Sequence, residues 1–518
     1  MKRFPKLTLL AAGLVSATGF APLGLWPVTL IAIALLIALV NRAPNKRAAF
    51  GYGWLFGVGH FTLGLNWIAH AFDFQDAMPH WLGFIAVVLL SLYLAIYTGS
   101  AALLAFSARR SGSTSRGTLT LAFAAAWILT EYLRATWFTG FAWNPLAAVA
   151  VGLPAAAYAK WTGTYGLSGV LVLVAGWLWW FGAYVRDAIS GKRGRDPAHI
   201  ATVGFSVAVV FLLCLGIPAI PLYDPRPLAV REVGPAIRII QPNLSQAEQH
   251  DRNFDEKSVV RLEQLTGPPS RTPRLVLWPE AAVPYYLDEE SWARYRLSKL
   301  LGPNDILLTG GTTLIYDKAG RLTAARNSLF AMNPTSDLIA RYDKAHLVPY
   351  GEYLPLRPIL SSIGLSKLVQ SDVDFVPGAG PGTLTLPGFG KAGVQICYEI
   401  IFSGQVIDAA HRPDFIFNPS TDAWFGAWGP PQHLAQARLR AIEEGLPVIR
   451  ATPTGISAVI DADGRLLAAL PLNKPGVITS RLPPAKSPGL FARFGNTIPL
   501  MLALMLATLA IAPRFRRR

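Results

Sequence analysis

Long apolar stretches recur along this chain, and they constrain its fold more than any other feature of the sequence. Eight of them approach or exceed the length that an α-helix needs to cross a hydrocarbon core of about 30 Å. These stretches are residues 7–23, 25–41, 50–72, 80–107, 118–136, 166–185, 200–220 and 496–512. Hydrophobic residues fill 52% of the 518 positions and charged residues only 15%, which is typical of a membrane protein. The sequence therefore predicts a multi-pass α-helical membrane domain with eight spans.

Basic residues are distributed unevenly between these stretches. A formal net charge of +16 would suit nucleic-acid binding if the basic residues formed one patch. They instead occupy every second connection, at residues 2–6, 42–47, 109–116, 186–195 and 514–518. Basic connections stay in the cytoplasm. We therefore predict two cytoplasmic termini, a segment 222–490 on the opposite, periplasmic side, and no nucleic-acid partner.

The chain accordingly divides into three regions. We predict a transmembrane domain of seven helices at residues 1–221, a catalytic domain at 222–490, and a last helix with a basic tail at 491–518. The first apolar stretch has a second interpretation as a cleaved signal peptide, because Lys2 and Arg3 precede a short apolar run. No clear small-residue cleavage site precedes the next stretch, which favours a retained helix.

The sequence pattern changes past residue 222. Short β-branched runs at 237–241, 275–278, 306–309, 393–396, 415–417 and 457–460 are typical of buried strands. Residues 290–300 and 432–444 lie between them and have the pattern of helices. This alternation predicts an α/β domain, in which functional side chains tend to gather where strands end.

Three strand ends carry residues suited to chemistry. Glu280 ends the run Leu275–Glu280, and burial there would raise its pKa and suit a general base. Lys344 is a compact cation that could stabilise an oxyanion, with Glu352 able to orient it. Taken singly, each has an ordinary alternative, a solvated strand-end acid or a surface lysine.

Cys397 follows the third of these strands and is the only cysteine between residues 222 and 490. It is either a small core residue or a nucleophile, and a nucleophile needs a nearby base or cation to yield thiolate at neutral pH. Glu280 and Lys344 are the candidates for that base and cation. Cys214, the other cysteine, lies in an apolar stretch and is expected to be inert.

The order Glu, Lys, Cys, each at a strand-to-loop junction, resembles the nitrilase superfamily of carbon-nitrogen hydrolases. With the eight apolar stretches, the whole chain resembles the apolipoprotein N-acyltransferase family. Further matching segments are Phe20–Pro22, Phe138–Phe141, Asn327–Ser328, Asp422–Gly426 and Arg440–Ala441. Two positions depart from the pattern, because Thr421 stands where Asn is frequent and Pro453 replaces a more usual polar residue. The resemblance implies that residues 222–490 form a nitrilase-like α-β-β-α sandwich.

The resemblance also implies the roles of individual residues. Glu280 would be the general base, Lys344 the stabiliser of the tetrahedral intermediate and Cys397 the nucleophile. Supporting positions would be Glu352, Tyr398 and Glu399. The implied reaction moves an acyl chain from a phospholipid, phosphatidylethanolamine, to the α-amino group of a diacylglyceryl apolipoprotein at the bacterial inner membrane. The implied pathway uses a thioester and needs no metal or cofactor.

Two further groups of residues are candidates for substrate contact. Aromatic side chains able to cover an acyl pocket are Trp278, Tyr285, Trp424, Phe425 and Trp428, and residues 356–376 are a further lid candidate. Ordinary core packing is the alternative for these aromatic residues. Arg134 and Trp143 are candidates for binding a lipid headgroup, the alternative being an interfacial aromatic belt with an arginine that reaches the surface.

Two other functions compete with acyl transfer. A membrane-anchored enzyme could hydrolyse small amides, with water attacking the thioester, but one span would suffice as an anchor. A transporter or lipid-binding scaffold could carry an inactive outer domain. The presence of Glu280, Lys344 and Cys397 together disfavours this second alternative.

Overall fold

A computed structural model describes residues 5–74, 79–109, 116–190, 234–244, 254–362 and 373–512. The chain forms two compact units. The helical unit comprises residues 1–66, 84–225 and 488–518, and the α/β unit comprises residues 67–83 and 226–487. The predicted domain boundary at residue 221 lies outside the described residues, as does Cys214.

The described part of the helical unit is built mainly of α-helices. Its helices are α1 (Pro5–Ser16), α2 (Trp26–Val40), α3 (Lys46–Gly64), α5 (Leu82–Ser107), α6 (Arg116–Thr136), α7 (Ala159–Ile189), α12 (Leu490–Phe494) and α13 (Thr497–Ile511). Helix α1 packs closely on α3, and a Cβ atom on Gly13 would lie 2.0 Å from the Phe56 carbonyl oxygen. Small residues at such positions allow close helix packing.

Helices coincide with seven of the eight predicted stretches, and the remaining stretch, 200–220, lies outside the described residues. Two described helical segments are long and apolar enough to cross a membrane. They are α5 (Leu82–Ser107) and Pro154–Arg186, which contains most of α7. Three more are apolar but shorter: Lys6–Gly19, Trp26–Val40 and Thr497–Ile511. A 15-residue helix is only about 22 Å long. The helical class of this region is thus observed, whereas the number of eight spans stays a prediction.

The α/β unit contains two six-stranded sheets. Strands of the first sheet are β1 (Ala236–Gln241), β2 (Arg274–Leu277), β3 (Ile306–Tyr316), β4 (Leu322–Met332), β5 (Leu338–Asp343) and β12 (Gly476–Arg481), in the order β12-β1-β2-β3-β4-β5. Strands of the second are β6 (Gly382–Leu386), β7 (Gly390–Val394), β8 (Phe415–Pro419), β9 (Val448–Ala451), β10 (Ala458–Ile460) and β11 (Leu466–Ala469), in the order β11-β10-β9-β8-β7-β6. The central strands β1, β2 and β3 are parallel, as are β7, β8 and β9, and the outer strands are antiparallel.

Helices cover the outer faces of the two sheets. They are α8 (Phe254–Thr266), α9 (Ser291–Ser298) and α11 (Gly429–Glu444), and the unit also contains the short helices α4 (Trp67–His70) and α10 (Arg357–Ser362). Side chains alternate along β2, so that Leu275 and Leu277 enter the core between the sheets while Val276 enters the core beneath α8 and α9. Helix α11 packs on β9. These layers form the predicted α-β-β-α sandwich.

Candidate active site

The predicted reactive side chains lie just beyond the ends of three strands of the α/β unit. Glu280 lies three residues beyond β2, Lys344 directly follows β5, and Cys397 lies three residues beyond β7. The turn after β2 approaches β3 so closely that a Cβ atom on Gly310 would lie 2.5 Å from the Ala281 nitrogen. A glycine is therefore required at this point of β3.

Glu280, Asn327, Lys344 and Glu352 form one hydrogen-bonded group, here called the Glu280 cluster, whose three charged members are buried. The Lys344 ammonium lies 2.9 Å from Glu352 Oε1 and 3.3 Å from Glu280 Oε1. The Asn327 amide donates to the same two oxygens, at 3.0 and 2.8 Å. Lys344 is only 1% exposed. Two carboxylates thus share one ammonium and one amide in a site with little solvent.

Backbone amides bind the second oxygen of each carboxylate in the cluster. Thr421 N–H donates to Glu280 Oε2 at 2.7 Å, and Val348 N–H donates to Glu352 Oε2 at 2.8 Å. Thr421 is one of the two positions that depart from the family pattern. Because its backbone amide makes this hydrogen bond, a different side chain there leaves the contact to Glu280 available.

The protonation of the site follows from these contacts. Burial alone would raise the pKa of Glu280, but the Lys344 charge and the hydrogen bonds from Asn327 and Thr421 hold it below the ordinary value. The expectation of a raised pKa was therefore wrong, because desolvation is outweighed by the adjacent cation. Burial likewise disfavours charged Lys344, yet the charges of Glu352 and Glu280 raise the pKa of Lys344.

Cys397 is buried and has no disulfide. Burial and the charge of Glu280 raise the pKa of its thiol, against the opposing effect of Lys344. The resting site therefore pairs a neutral thiol with an ionised carboxylate, so that the sulfur loses its proton only when it attacks.

The backbone at Cys397 is unusual. The residue opens a 3₁₀ helix, Cys397–Ile401, and its φ of 51° lies in the left-handed region, which costs an L-residue roughly 1–2 kcal/mol. Glu399, a predicted supporting residue, accepts from Ile396 N–H at 2.6 Å and from Ala345 N–H at 2.7 Å. The Glu399 carboxylate thus connects the turn that contains Cys397 to Ala345, the residue after Lys344.

The remaining predicted aromatic residues fall in different places. Tyr398, the other supporting position, is buried with its ring 5.2 Å from that of Phe402. Trp278 packs in the outer core beneath α8 and donates to Thr266 Oγ1 at 2.9 Å. Trp278 is therefore a core residue and not a lid, because β2 turns its side chain away from the inter-sheet core. Tyr285 packs beside it against Trp292, with ring centroids 4.9 Å apart.

Trp424, Phe425 and Trp428 lie together in the turn between β8 and α11. The Phe425 ring is 4.7 Å from that of Trp67, and the Trp424 ring is 5.5 Å from that of Phe74. Residues 67–74 of the α/β unit thus pack on this turn. Of the other lid candidate, 356–376, residues 363–372 lie outside the described residues.

The two headgroup candidates meet inside the helical unit. Arg134 donates to the Trp143 carbonyl oxygen at 2.8 Å, and its guanidinium lies 5.3 Å from the centroid of the Phe61 ring. Arg134 is 4% exposed and the Trp143 side chain is fully buried. Arg134 therefore does not reach the surface as in the aromatic-belt alternative.

Sequence reasoning missed several side chains around Cys397. Asn327 and Asp422 were noted only as parts of matching segments, and His433 and Arg450 were not noted at all. All four are charged or polar: Asp422, His433 and Arg450 are buried, and Asn327 is half-buried and binds Glu280. His433 is a single histidine on a helix. No pattern in the sequence connects it with Cys397, which lies 36 residues earlier in the chain.

Comparison with known families agrees with this geometry. Residues 12–177 match the model of the apolipoprotein N-acyltransferase N-terminal domain, and residues 242–487 match the carbon-nitrogen hydrolase model. The apolipoprotein N-acyltransferase of Bradyrhizobium diazoefficiens is 34% identical over 99% of this chain and 95% of its own length. That of Caulobacter vibrioides is 36% identical over 99% and 94%. The chain belongs to the apolipoprotein N-acyltransferase family.

Membership of the apolipoprotein N-acyltransferase family makes the chain a bacterial membrane protein with a carbon-nitrogen hydrolase domain. Among solved structures, an amidase from Nesterenkonia sp. AN1 is similar to 52% of this chain over 94% of its own length. Its sequence is 16% identical and the TM-score is 0.32.

Proposed function

We propose that this protein transfers an acyl chain from a membrane phospholipid to the α-amino group of an apolipoprotein's N-terminal diacylglyceryl-cysteine. This reaction would be the last step of bacterial lipoprotein maturation. The observation that carries the proposal is the buried Glu280 cluster beside the only thiol of the α/β unit. Family membership supports the choice of acyl transfer.

In the first step, Cys397 forms a thioester. Glu280 takes the thiol proton as the sulfur attacks the ester carbonyl carbon, and Lys344 stabilises the negative charge that develops on the carbonyl oxygen. The carbon–oxygen ester bond then breaks, and the departing lysophospholipid oxygen takes the proton from Glu280. Glu352 holds Lys344 in place through its 2.9 Å contact.

In the second step, the amine of the apolipoprotein attacks the thioester. Glu280 accepts a proton from the nitrogen, the carbon–sulfur bond breaks, and the proton passes to the Cys397 thiolate. The lowered pKa of Glu280 keeps this carboxylate ionised between turnovers. The site therefore returns to its starting state without a cofactor.

We further propose the membrane arrangement predicted from the loops. Eight spans would hold the chain in the inner membrane, with both termini in the cytoplasm and residues 222–490 in the periplasm. Both substrates are lipids, so a membrane-embedded platform lets acyl chains stay in hydrocarbon while a carbonyl reaches Cys397. Phosphatidylethanolamine is the proposed donor.

A small cavity in the helical unit, lined in part by polar side chains, is the proposed site for the donor headgroup. Its lining includes Arg134, Glu131 and Asn144. Glu131 Oε2 and both amide atoms of Asn144 are buried without a hydrogen-bond partner among the described residues. An anionic phosphate would pair with Arg134, and an ammonium group would satisfy Glu131. Trp143 contributes its carbonyl oxygen, which positions Arg134.

The headgroup site predicts a selective kinetic effect. Arg134→Met should raise the KM for phosphatidylethanolamine about tenfold, the order expected for one lost charge-assisted hydrogen bond, and leave the KM for apolipoprotein unchanged. Arg186→Met, at the exposed end of α7, is the matched control. An equal rise in both KM values would argue for general damage to the helical unit.

The two cysteines provide a direct test of the nucleophile. Mass spectrometry of the full chain incubated with phosphatidylethanolamine should detect a hydroxylamine-sensitive acyl adduct on Cys397. Cys397→Ala should abolish the adduct and lipoprotein N-acylation, whereas Cys214→Ala should retain both. N-acylation by Cys397→Ala would disprove the proposal. Release of the acyl group to water in the presence of apolipoprotein would instead support the amide-hydrolase alternative.

A further inference from the structure

The left-handed backbone of Cys397 needs a partner that holds it. Two side chains bind its carbonyl oxygen: His433 Nε2 lies 3.1 Å away and Asn418 Nδ2 lies 3.4 Å away. The Asn418 amide makes a shorter contact, 2.6 Å, to the Gln395 carbonyl oxygen. His433 therefore provides the stronger hydrogen bond to the carbonyl of Cys397.

The contacts of His433 define the state of its ring. A carbonyl oxygen can only accept, so Nε2 carries a hydrogen. Nδ1 lies 3.0 Å from both Arg450 Nη2 and Asp422 Oδ1. Burial and the Arg450 charge lower the pKa of His433, which favours a neutral ring. Nδ1 therefore accepts from Arg450, and the hydrogen stays on Nε2, facing Cys397.

Asn418, Asp422, His433 and Arg450 form the group here called the Arg450 cluster. Arg450 Nη2 lies 2.6 Å from each oxygen of Asp422, and Nη1 contacts the Asn418 side-chain oxygen. Every member is at most 1% exposed. Because β8, β9 and α11 supply Asn418, Arg450 and His433, and the turn before α11 supplies Asp422, these contacts give the imidazole one orientation.

Aromatic packing also restrains the ring. Phe425 meets His433 nearly edge to face, with ring centroids 5.7 Å apart, and Phe425 is itself packed against Trp67. The position of the imidazole is thus determined by hydrogen bonds on two sides and by an aromatic contact on a third.

We propose that His433 is a positioning residue for the nucleophile. Its Nε2–H group holds the Cys397 carbonyl oxygen and so keeps Cys397 in the left-handed conformation that presents the thiol to Glu280 and Lys344. The inference rests on the proposed function, in which Cys397 is the nucleophile. His433 acts through the backbone of Cys397 and touches no substrate.

Two substitutions separate the hydrogen bond from the packing. His433→Phe keeps an aromatic ring but loses the donor, whereas His433→Gln retains an N–H group near the position of Nε2. Gln436→Leu is the matched control, because Gln436 lies on the same helix, is fully buried, and its Oε1 has no hydrogen-bond partner among the described residues.

The measurement is the rate of acyl-adduct formation on Cys397 of the full chain in phosphatidylethanolamine vesicles, followed by mass spectrometry. We expect His433→Phe to slow acylation about 100-fold, the effect of a misplaced reacting group, with an unchanged KM. His433→Gln should recover to within about tenfold of the wild type, and Gln436→Leu should match the wild type.

Two outcomes would overturn the inference. Wild-type acylation by His433→Phe would mean that the hydrogen bond to Cys397 does not matter. Equal losses in His433→Phe and His433→Gln would assign His433 to helix packing alone. The wild-type protein separates this inference from the proposed function, because absence of any adduct on wild-type Cys397 would contradict the proposed function itself.

Discussion

The Glu280 cluster and the Arg450 cluster are two buried groups of charged residues that meet at Cys397, the first beside its thiol and the second at its carbonyl oxygen. The first is built on the strands and loops of the first sheet and carries Glu280, Lys344 and Glu352. The second is built on the second sheet and α11 and carries Asp422 and Arg450. Both contain ion pairs with almost no exposure, so burial does not distinguish them.

The balance of charge does distinguish them. In the Glu280 cluster two carboxylates share one ammonium, which leaves one negative charge in excess beside the Cys397 thiol. In the Arg450 cluster one guanidinium meets both oxygens of one carboxylate, and the charges cancel. A cluster with excess negative charge can accept a proton, whereas a cluster whose charges cancel is suited to holding its neighbours in position. We therefore assign proton transfer to the Glu280 cluster and the positioning of Cys397 to the Arg450 cluster.

The largest expected effect would test the chemical role of the first cluster. Glu280→Gln keeps the shape of the side chain but removes the base, so acyl-adduct formation on Cys397 should slow by about 10²–10⁴-fold. Lys344 retains Glu352 as its counter-charge, and we expect the thermal unfolding midpoint to change little. The exposed Glu289→Gln is the matched control. Acylation at the wild-type rate would remove Glu280 from the mechanism.

The next effect concerns the stability of the second cluster. Asp422→Asn leaves the buried Arg450 without its counter-charge, which should cost about 3 kcal/mol or more of unfolding free energy. In a unit of this size the unfolding midpoint should fall by roughly 6 °C or more, as measured by thermal scanning of the detergent-solubilised chain. Asp317→Asn, which breaks an exposed pair with Arg321, should lower it far less. Equal decreases would contradict a structural role for the Arg450 cluster.

The smallest effect is a pH dependence. The pKa of Glu280 lies below its ordinary value of 4.5, chiefly because the Lys344 charge outweighs burial. Near pH 4 the folded state therefore binds fewer protons at this residue than the unfolded chain does. The stability due to Glu280 is present above about pH 4.5 and is lost as the pH falls. Between pH 5 and pH 3.5, the unfolding midpoint of the wild type should fall further than that of Glu280→Gln. Parallel curves would contradict the lowered pKa.

Several elements were predictable because their pattern is local. Apolar stretches mark helices without any tertiary information, and helices occur at all seven stretches that lie within the described residues. Runs such as Leu275–Trp278 mark buried strands because both of their faces are apolar, and β2 (Arg274–Leu277) includes most of this run. Glu280, Lys344 and Cys397 could be selected together because each follows a strand end and because their order resembles a known superfamily.

Other features depended on neighbours that are distant in sequence. Trp278 adjoins Glu280 in the chain, yet strand alternation sends its side chain into the opposite core. The pKa of Glu280 falls because Lys344, 64 residues away, outweighs burial. The contact of His433 with the Cys397 carbonyl oxygen exists only because α11 packs beside the 3₁₀ helix that Cys397 begins.

The sequence by itself determined the membrane class, the α/β domain and the three reactive residue types, because hydropathy, strand periodicity and motif order are properties of the chain alone. The tertiary structure decided which carboxylate is ionised, how the backbone of Cys397 is held and which aromatic residues belong to the core. Those properties arise from distances and burial between sheets that fold together from separate parts of the chain.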